Sequence, residues 1–341
     1  MTHIFTYTTS NRVALVLFGM LTLIVLGACA ESSESSAVPQ AETATAVLDS
    51  PAATLVPVPE MTEYIEIEDW SSAGAPGIIW ARPNGVVIDS EDNLYTTEFE
   101  GNRVRKFNST GELLLEWGVS GRDPGQFNAP TGIAIGPEGN IYVSESGGHR
   151  VQKFTSDGEW LATLGSPGEG EGQFQSAMVL AVSDDELVYV TDWGGGRITV
   201  LTTEGEPAGI ISESGQAPGK LSNPTGIKIG PDGNLWVVDR GNNRVQQFTR
   251  EGELLNVFGE FGDAPGQFRT PTSINFDSSG NFIVSEFRGH RLQAFTPDGQ
   301  LIGELAPGTF MGPHGLDFDS TGALYATDTQ HNQIRKFVPA E

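Results

Sequence analysis

Asn234-Leu235-Trp236-Val237-Val238-Asp239-Arg240-Gly241-Asn242-Asn243-Arg244-Val245-Gln246-Gln247-Phe248 reads as two short strands joined by a glycine and asparagine turn. Alternating β-branched and aromatic residues on either side of Gly241-Asn242-Asn243 are the pattern of a β-hairpin. The arrangement recurs along the chain in steps of 47, which place Trp117, Leu164, Ile211, Phe258 and Leu305 in one series and Phe127, Phe174, Leu221 and Phe268 in another. A fixed period of this size, filled with short strands and glycine turns, predicts an all-β propeller.

Working outward, each repeat holds four strands. In the second they run from Gly132 to Ile135, Ile141 to Glu145, Arg150 to Phe154 and Trp160 to Leu164. Equivalent third strands begin at Arg103, Arg197, Arg244, Arg291 and Gln333, which makes six blades. The last blade runs out of chain after its third strand. Its fourth is expected at the other end, in Tyr64-Ile65-Glu66-Ile67-Glu68-Asp69-Trp70, where Trp70 lies 47 residues before Trp117. Pairing the termini in one blade would close the ring and remove its exposed edges.

The propeller occupies residues 61–341. Ahead of it, Arg12 precedes an uncharged apolar run from Val13 to Leu26, too short to span a bilayer and suited to a signal-peptide core. Leu26-Gly27-Ala28-Cys29 resembles the bacterial lipobox. That resemblance implies a signal peptide over residues 1–28, lipidation of Cys29 and a cell-envelope location facing the periplasm or exterior. Residues 30–60 contain no aromatic, and 19 of the 31 are Ala, Ser, Thr or Pro. Such a segment buries too little apolar surface to order itself and is expected to act as a tether spanning about 30 Å. Cys29 is the sole cysteine, so no intrachain disulfide is available.

The formal net charge of −25 repels phosphate backbones and anionic lipid headgroups, which excludes nucleic acid as a partner and leaves the lipid anchor as the membrane contact. A closed ring of this kind is expected to be a monomer.

The repeats resemble the NHL family, on the hairpin line quoted above and the preceding Pro224-Thr225-Gly226-Ile227. The resemblance implies a six-bladed propeller and leaves several activities open, since the family includes lyases, lactonase-like hydrolases, RNA binders and interaction modules.

An acidic residue ends the second strand of every blade. In five blades a basic residue follows five positions later: Glu98 with Arg103, Glu145 with Arg150, Asp192 with Arg197, Asp239 with Arg244, Glu286 with Arg291. A pair repeated in every blade belongs to the repeat unit, and bidentate contact across the hairpin would pin the turn. Blade six departs from the rule. Asp328 has Gln333 at the partner position, which predicts an unpaired carboxylate; the blade also carries His314 and His331, and its leading proline follows the preceding one by 42 residues, from Pro271 to Pro313.

The end holding these hairpins also holds Phe99, Trp193 and Phe287, each directly after the acid. Loop aromatics on a rigid scaffold either grip a peptide or sugar or pack against the neighbouring loop. The channel mouth is expected at the residue after each leading proline: Asn84, Thr131, Thr225, Thr272 and His314, with Met178 breaking the series. The amidating-lyase branch of the family holds zinc with histidines at this mouth, and Pro313-His314-Gly315 alone matches its Pro-His pattern. The lactonase-like branch holds calcium, and Arg82-Pro83-Asn84-Gly85 resembles one of its asparagine positions. A catalytic zinc needs three protein ligands and calcium six to eight oxygens. The sequence therefore leads to a lipid-anchored module that binds a protein, peptide or glycan without a metal through Phe99, Trp193, Phe287, Asn84, His314, Asp328 and His331. The alternative is a zinc- or calcium-dependent lyase or lactonase at the channel mouth.

Overall fold

The second strand of each blade is covered on both faces, and its sequence is accordingly rich in apolar and β-branched residues. Leu94–Glu98, Ile141–Glu145, Leu235–Asp239, Phe282–Glu286 and Leu324–Asp328 are buried along their whole length. The computed structural model describes residues 63–67 and 79–340. Cys29, the 30–60 segment and Trp70 lie outside the described residues.

Six four-stranded antiparallel sheets form the blades. Their first strands are Pro83–Ile88, Pro130–Ile135, Ala177–Val182, Ile227–Ile229, Pro271–Phe276 and Pro313–Phe318, standing side by side around a central channel. The sheet of blade six takes its outer strand from the N-terminal side: Tyr64–Ile67 pairs antiparallel with Gln333–Pro339, with Tyr64 opposite Pro339 and Ile67 opposite Lys336. Arg335 reinforces this closure, donating from Nε to Glu66 Oε1 at 2.7 Å and from Nη2 to Oε2 at 2.5 Å.

Neighbouring blades are glued by apolar side chains. Between blades two and three, Tyr142, Val151 and Leu164 meet Phe174, Leu180 and Leu201, all buried. Between blades four and five, Trp236 stacks on Phe258 with centroids 5.2 Å apart and faces Phe282 at 5.0 Å. Each such ring removes on the order of 150–250 Å² from water.

A second seam runs nearer the channel. A hydroxyl one residue before the strand-end acid donates to a carbonyl at the start of the next blade: Thr97 to Thr131 O at 2.8 Å, Thr191 to Thr225 O at 2.5 Å, Ser285 to His314 O at 2.6 Å and Thr327 to Asn84 O at 2.8 Å. Ser144 makes the equivalent bond to Met178 O. Blade four has Val238 in this place and makes no such bond. The first strands approach so closely here that a Cβ on Gly315 would lie 2.5 Å from Asn84 O, and one on Gly85 2.6 Å from Thr131 O. Glycine is therefore required, and the channel is narrow where these strands begin.

Candidate functional site

The six strand-end acids are fully buried, and each accepts a backbone N–H from a residue 17 positions earlier, in the crossover entering its blade. Glu145 is held by Arg150 Nε at 2.6 Å, Asp239 by Arg244 Nε at 2.7 Å and Glu286 by Arg291 Nε at 2.7 Å. The same guanidinium groups donate to crossover carbonyls, for example Arg150 to Gln126 O at 2.8 Å and Arg291 to Gln267 O at 2.8 Å. The repeated pairs are scaffold that fixes the loops around the mouth.

The unpaired carboxylate expected in blade six is corrected by the structure. Asp328 accepts the Met311 N–H at 2.9 Å, lies 2.8 Å from His331 Nδ1, and has Arg335 Nη1 at 3.9 Å. The missing partner five positions on is replaced by one seven positions on, as in blade one, where Arg105 joins Arg103 on Glu98. Asp328 and His331 thus form a hairpin pair. His149 and His290 stand at left-handed turn positions (φ 55° for both) that Asn102, Asn243 and Asn332 occupy in other blades.

His314 is different. The first strand of blade six pairs irregularly between Pro313 and Leu316, as those of blades one, two, three and five do near their starts, and such bulges re-aim the side chains they contain. His314 is buried at the mouth, and no hydrogen bond to its ring is found among the described residues. Burial, with the nearby charges of Arg240 and Arg82, pushes its pKa down to about 3, so the imidazole is neutral at physiological pH. Asn84 and Thr225, at the equivalent positions of blades one and four, each keep a buried side-chain oxygen without a partner among the described residues. Buried polar atoms in this condition are uncommon and call for an explanation.

The three aromatic residues are half-buried, and their neighbours are cationic. Arg240 follows Asp239 as Trp193 follows Asp192 and Phe287 follows Glu286, so the three are consecutive around the mouth. The Arg240 guanidinium lies 4.8 Å from the Trp193 ring centroid and 5.7 Å from that of Phe287. Arg82, in a left-handed conformation (φ 56°), lies 5.3 Å from the Phe99 ring centroid. The structure therefore brings Trp193 and Phe287 together through Arg240 and joins Arg82 and Arg240 electrostatically to His314; it separates off Asp328 and His331 as a hairpin pair. Arg240 was missed by sequence reasoning that followed aromatic residues, although it occupies their place in the 47-residue period.

Below the mouth the channel holds a cavity of about 190 Å³ lined by the first strands, with Val86, Ile133, Leu180, Ile227, Ile274 and Leu316 among its walls. Toward the far end Lys228 Nζ lies 3.7 Å from Asp317 Oδ1, an ion pair between blades four and six.

The mouth carries no zinc-type set of side-chain ligands among the described residues. Among the described residues no three His, Cys, Asp or Glu side chains converge as ligands. The strand-end carboxylates are engaged within their own blades, and the charges acting on His314 are those of arginines.

A family model described as the virginiamycin B lyase family matches residues 76–337. Among solved structures, a catalytically inactive histidine-to-alanine variant of virginiamycin B lyase from Staphylococcus aureus with quinupristin is 22% identical, covering 76% of this chain and 80% of that one at a TM-score of 0.57. A streptogramin B lyase is 19% identical over 81% of this chain and 97% of that one, with a TM-score of 0.58. A gluconolactonase from Xanthomonas campestris is 19% identical over 77% of this chain and 86% of that one, with a TM-score of 0.60. No curated protein sequence matches the chain. At these identities the structural likeness shows the fold, and the family match carries a lyase label in place of the NHL label that the repeats suggest.

Proposed function

This chain belongs to the virginiamycin B lyase family, and from that premise we propose that it is a lyase or lactonase whose chemistry takes place at the channel mouth with His314 as proton acceptor. The family match supports this over the simple binding module, and the single observation that carries the site is the neutral, buried His314 beside Arg82 and Arg240. Elimination and ester hydrolysis both need a base for a proton of substrate or water, and both build negative charge on a carbonyl-derived oxygen. A neutral imidazole provides the lone pair. Two guanidinium groups near the same point favour the developing oxyanion, most strongly where water is scarce. That the Staphylococcus aureus lyase is inactivated by replacing one histidine with alanine is consistent with such a role.

The proposal does not call on a zinc site, since no three such side-chain ligands converge among the described residues. We further propose that lipidation of Cys29 and the 30–60 tether hold the propeller at the cell envelope.

The test is incubation of the protein with quinupristin, with gluconolactone and with lactones that carry a free carboxylate, followed by mass spectrometry. A ring-opened product of unchanged mass identifies a lyase, and one heavier by a water identifies a hydrolase. Absence of turnover across streptogramin B compounds and a broad set of lactones would refute the proposal.

A further inference from the structure

Arg240 is unusual among the arginines of this acidic protein. Arg103, Arg150, Arg197, Arg244 and Arg291 each have a carboxylate within 3.2 Å. Arg240 has neither an ion pair nor a side-chain hydrogen bond among the described residues. It is nevertheless half-buried and held in place, flanked by Trp193 on one side and Phe287 on the other. Aromatic faces satisfy the charge of a guanidinium but none of its five N–H donors, which lie in its plane and suit the two oxygens of a carboxylate. Phe287 is itself backed by the chain at Gly312, where a Cβ would come within 2.8 Å of the ring.

The surroundings add to this. Burial, and after it the charge of Arg288, exposed beside Phe287 in the blade-five hairpin, lower the Arg240 pKa to about 10, still leaving it charged at neutral pH. The Thr225 hydroxyl, buried without a partner among the described residues, is a further donor at the same mouth. Against a net charge of −25, this end of the channel presents Arg240 and Arg288, while Arg82 is ion-paired with Glu100 at 3.2 Å.

We propose that Arg240, clamped between Trp193 and Phe287, is a receptor for a carboxylate on the substrate, so that the enzyme selects anionic molecules and seats the carboxylate beside His314. The inference rests on the lyase or lactonase reading for its catalytic meaning, while the binding itself does not. Burial is the main cause of the lowered His314 pKa, and a bound anion would offset the smaller contribution of the two arginines, making the imidazole a somewhat stronger base once substrate is present.

The experiment is an NMR titration of the arginine Nε–Hε signals at low ionic strength, using benzoate and its neutral counterpart benzamide as probes. The Arg240 signal is assigned by its loss in Arg240→Lys. Benzoate should shift it saturably and benzamide should not. Loss of charge-assisted hydrogen bonds should weaken benzoate binding about tenfold or more in Arg240→Gln. Arg288→Gln, an exposed change with little bearing on folding, should weaken it by a few fold. Equal response to benzoate and benzamide in the wild type, or unchanged benzoate affinity in a folded Arg240→Gln, would overturn the proposal. Benzoate selectivity without turnover of any lactone or streptogramin would leave the anion site standing and remove the catalytic reading; turnover without benzoate selectivity would do the reverse.

Discussion

Replacing Arg335 by Met should loosen the ring at its seam. Arg335 makes two hydrogen bonds to Glu66 (2.7 and 2.5 Å), one to Thr309 Oγ1 (3.0 Å), and lies 4.0 Å from the centroid of Phe310. Its side chain is 6% exposed and that of Glu66 36% exposed. Breaking a fully buried pair costs about 3–5 kcal/mol, but Glu66 can turn to water, which reduces this part to roughly 1–2 kcal/mol. The cation–π contact contributes about 1 kcal/mol, while Met preserves most of the packing of the stem. Asp328 loses a cation at 3.9 Å yet keeps His331 and the Met311 N–H. The sum is about 3 kcal/mol. With a urea m-value of about 3 kcal/mol/M for a domain of this size, the midpoint should fall by about 1 M. Glu66→Gln should cost less, and the double mutant should show a coupling of about 1 kcal/mol or more. A midpoint shift below about 0.3 M for Arg335→Met, or additive behaviour of the pair, would refute the view that this contact helps close the ring.

Two further outcomes concern the seam and the mouth. Thr97→Val removes the hydroxyl that donates to Thr131 O and accepts from Gly85 N (2.8 and 2.9 Å), and should cost about 2 kcal/mol by urea unfolding, whereas Val238→Thr should stay within about 1 kcal/mol of wild type. His314, with its folded pKa depressed to about 3, contributes stability that is complete above the unfolded value near 6.5 and is lost as pH falls toward 3, because only the unfolded chain takes up the proton in that window. The slope is about 1 kcal/mol per pH unit; His314→Gln should remove this contribution, and an unchanged difference in stability between about pH 4 and pH 7 would contradict it.

Much of the architecture was legible because a repeat displays itself in sequence. The 47-residue step located five blades and a 42-residue step the sixth, and the shortage of one strand at Glu341 pointed to the segment from Tyr64 to Trp70, of which Tyr64–Ile67 completes blade six. The acid and arginine pairs were legible as scaffold for the same reason. The partners of Asp328 were not, since the compensating Arg335 stands seven residues on, in the next strand and two positions past Gln333. Arg240 escaped for a different reason. Its meaning comes from Trp193 and Phe287, one blade away on either side, and contacts between blades depend on where loops lie in space. His314 was picked out by its place after Pro313, but its neutrality depends on burial and on two arginines distant in sequence.

The most direct measurement compares kcat/KM for the ring-opened product in wild type, His314→Ala and His331→Ala, each with its thermal midpoint recorded. A base at the channel mouth is worth about 10²–10⁴-fold, so His314→Ala should lose at least two orders of magnitude while remaining folded. His331→Ala, which disturbs only a hairpin pair with Asp328, should stay within a few fold of wild type. Wild-type turnover by a folded His314→Ala, or a greater loss in His331→Ala, would place the chemistry elsewhere.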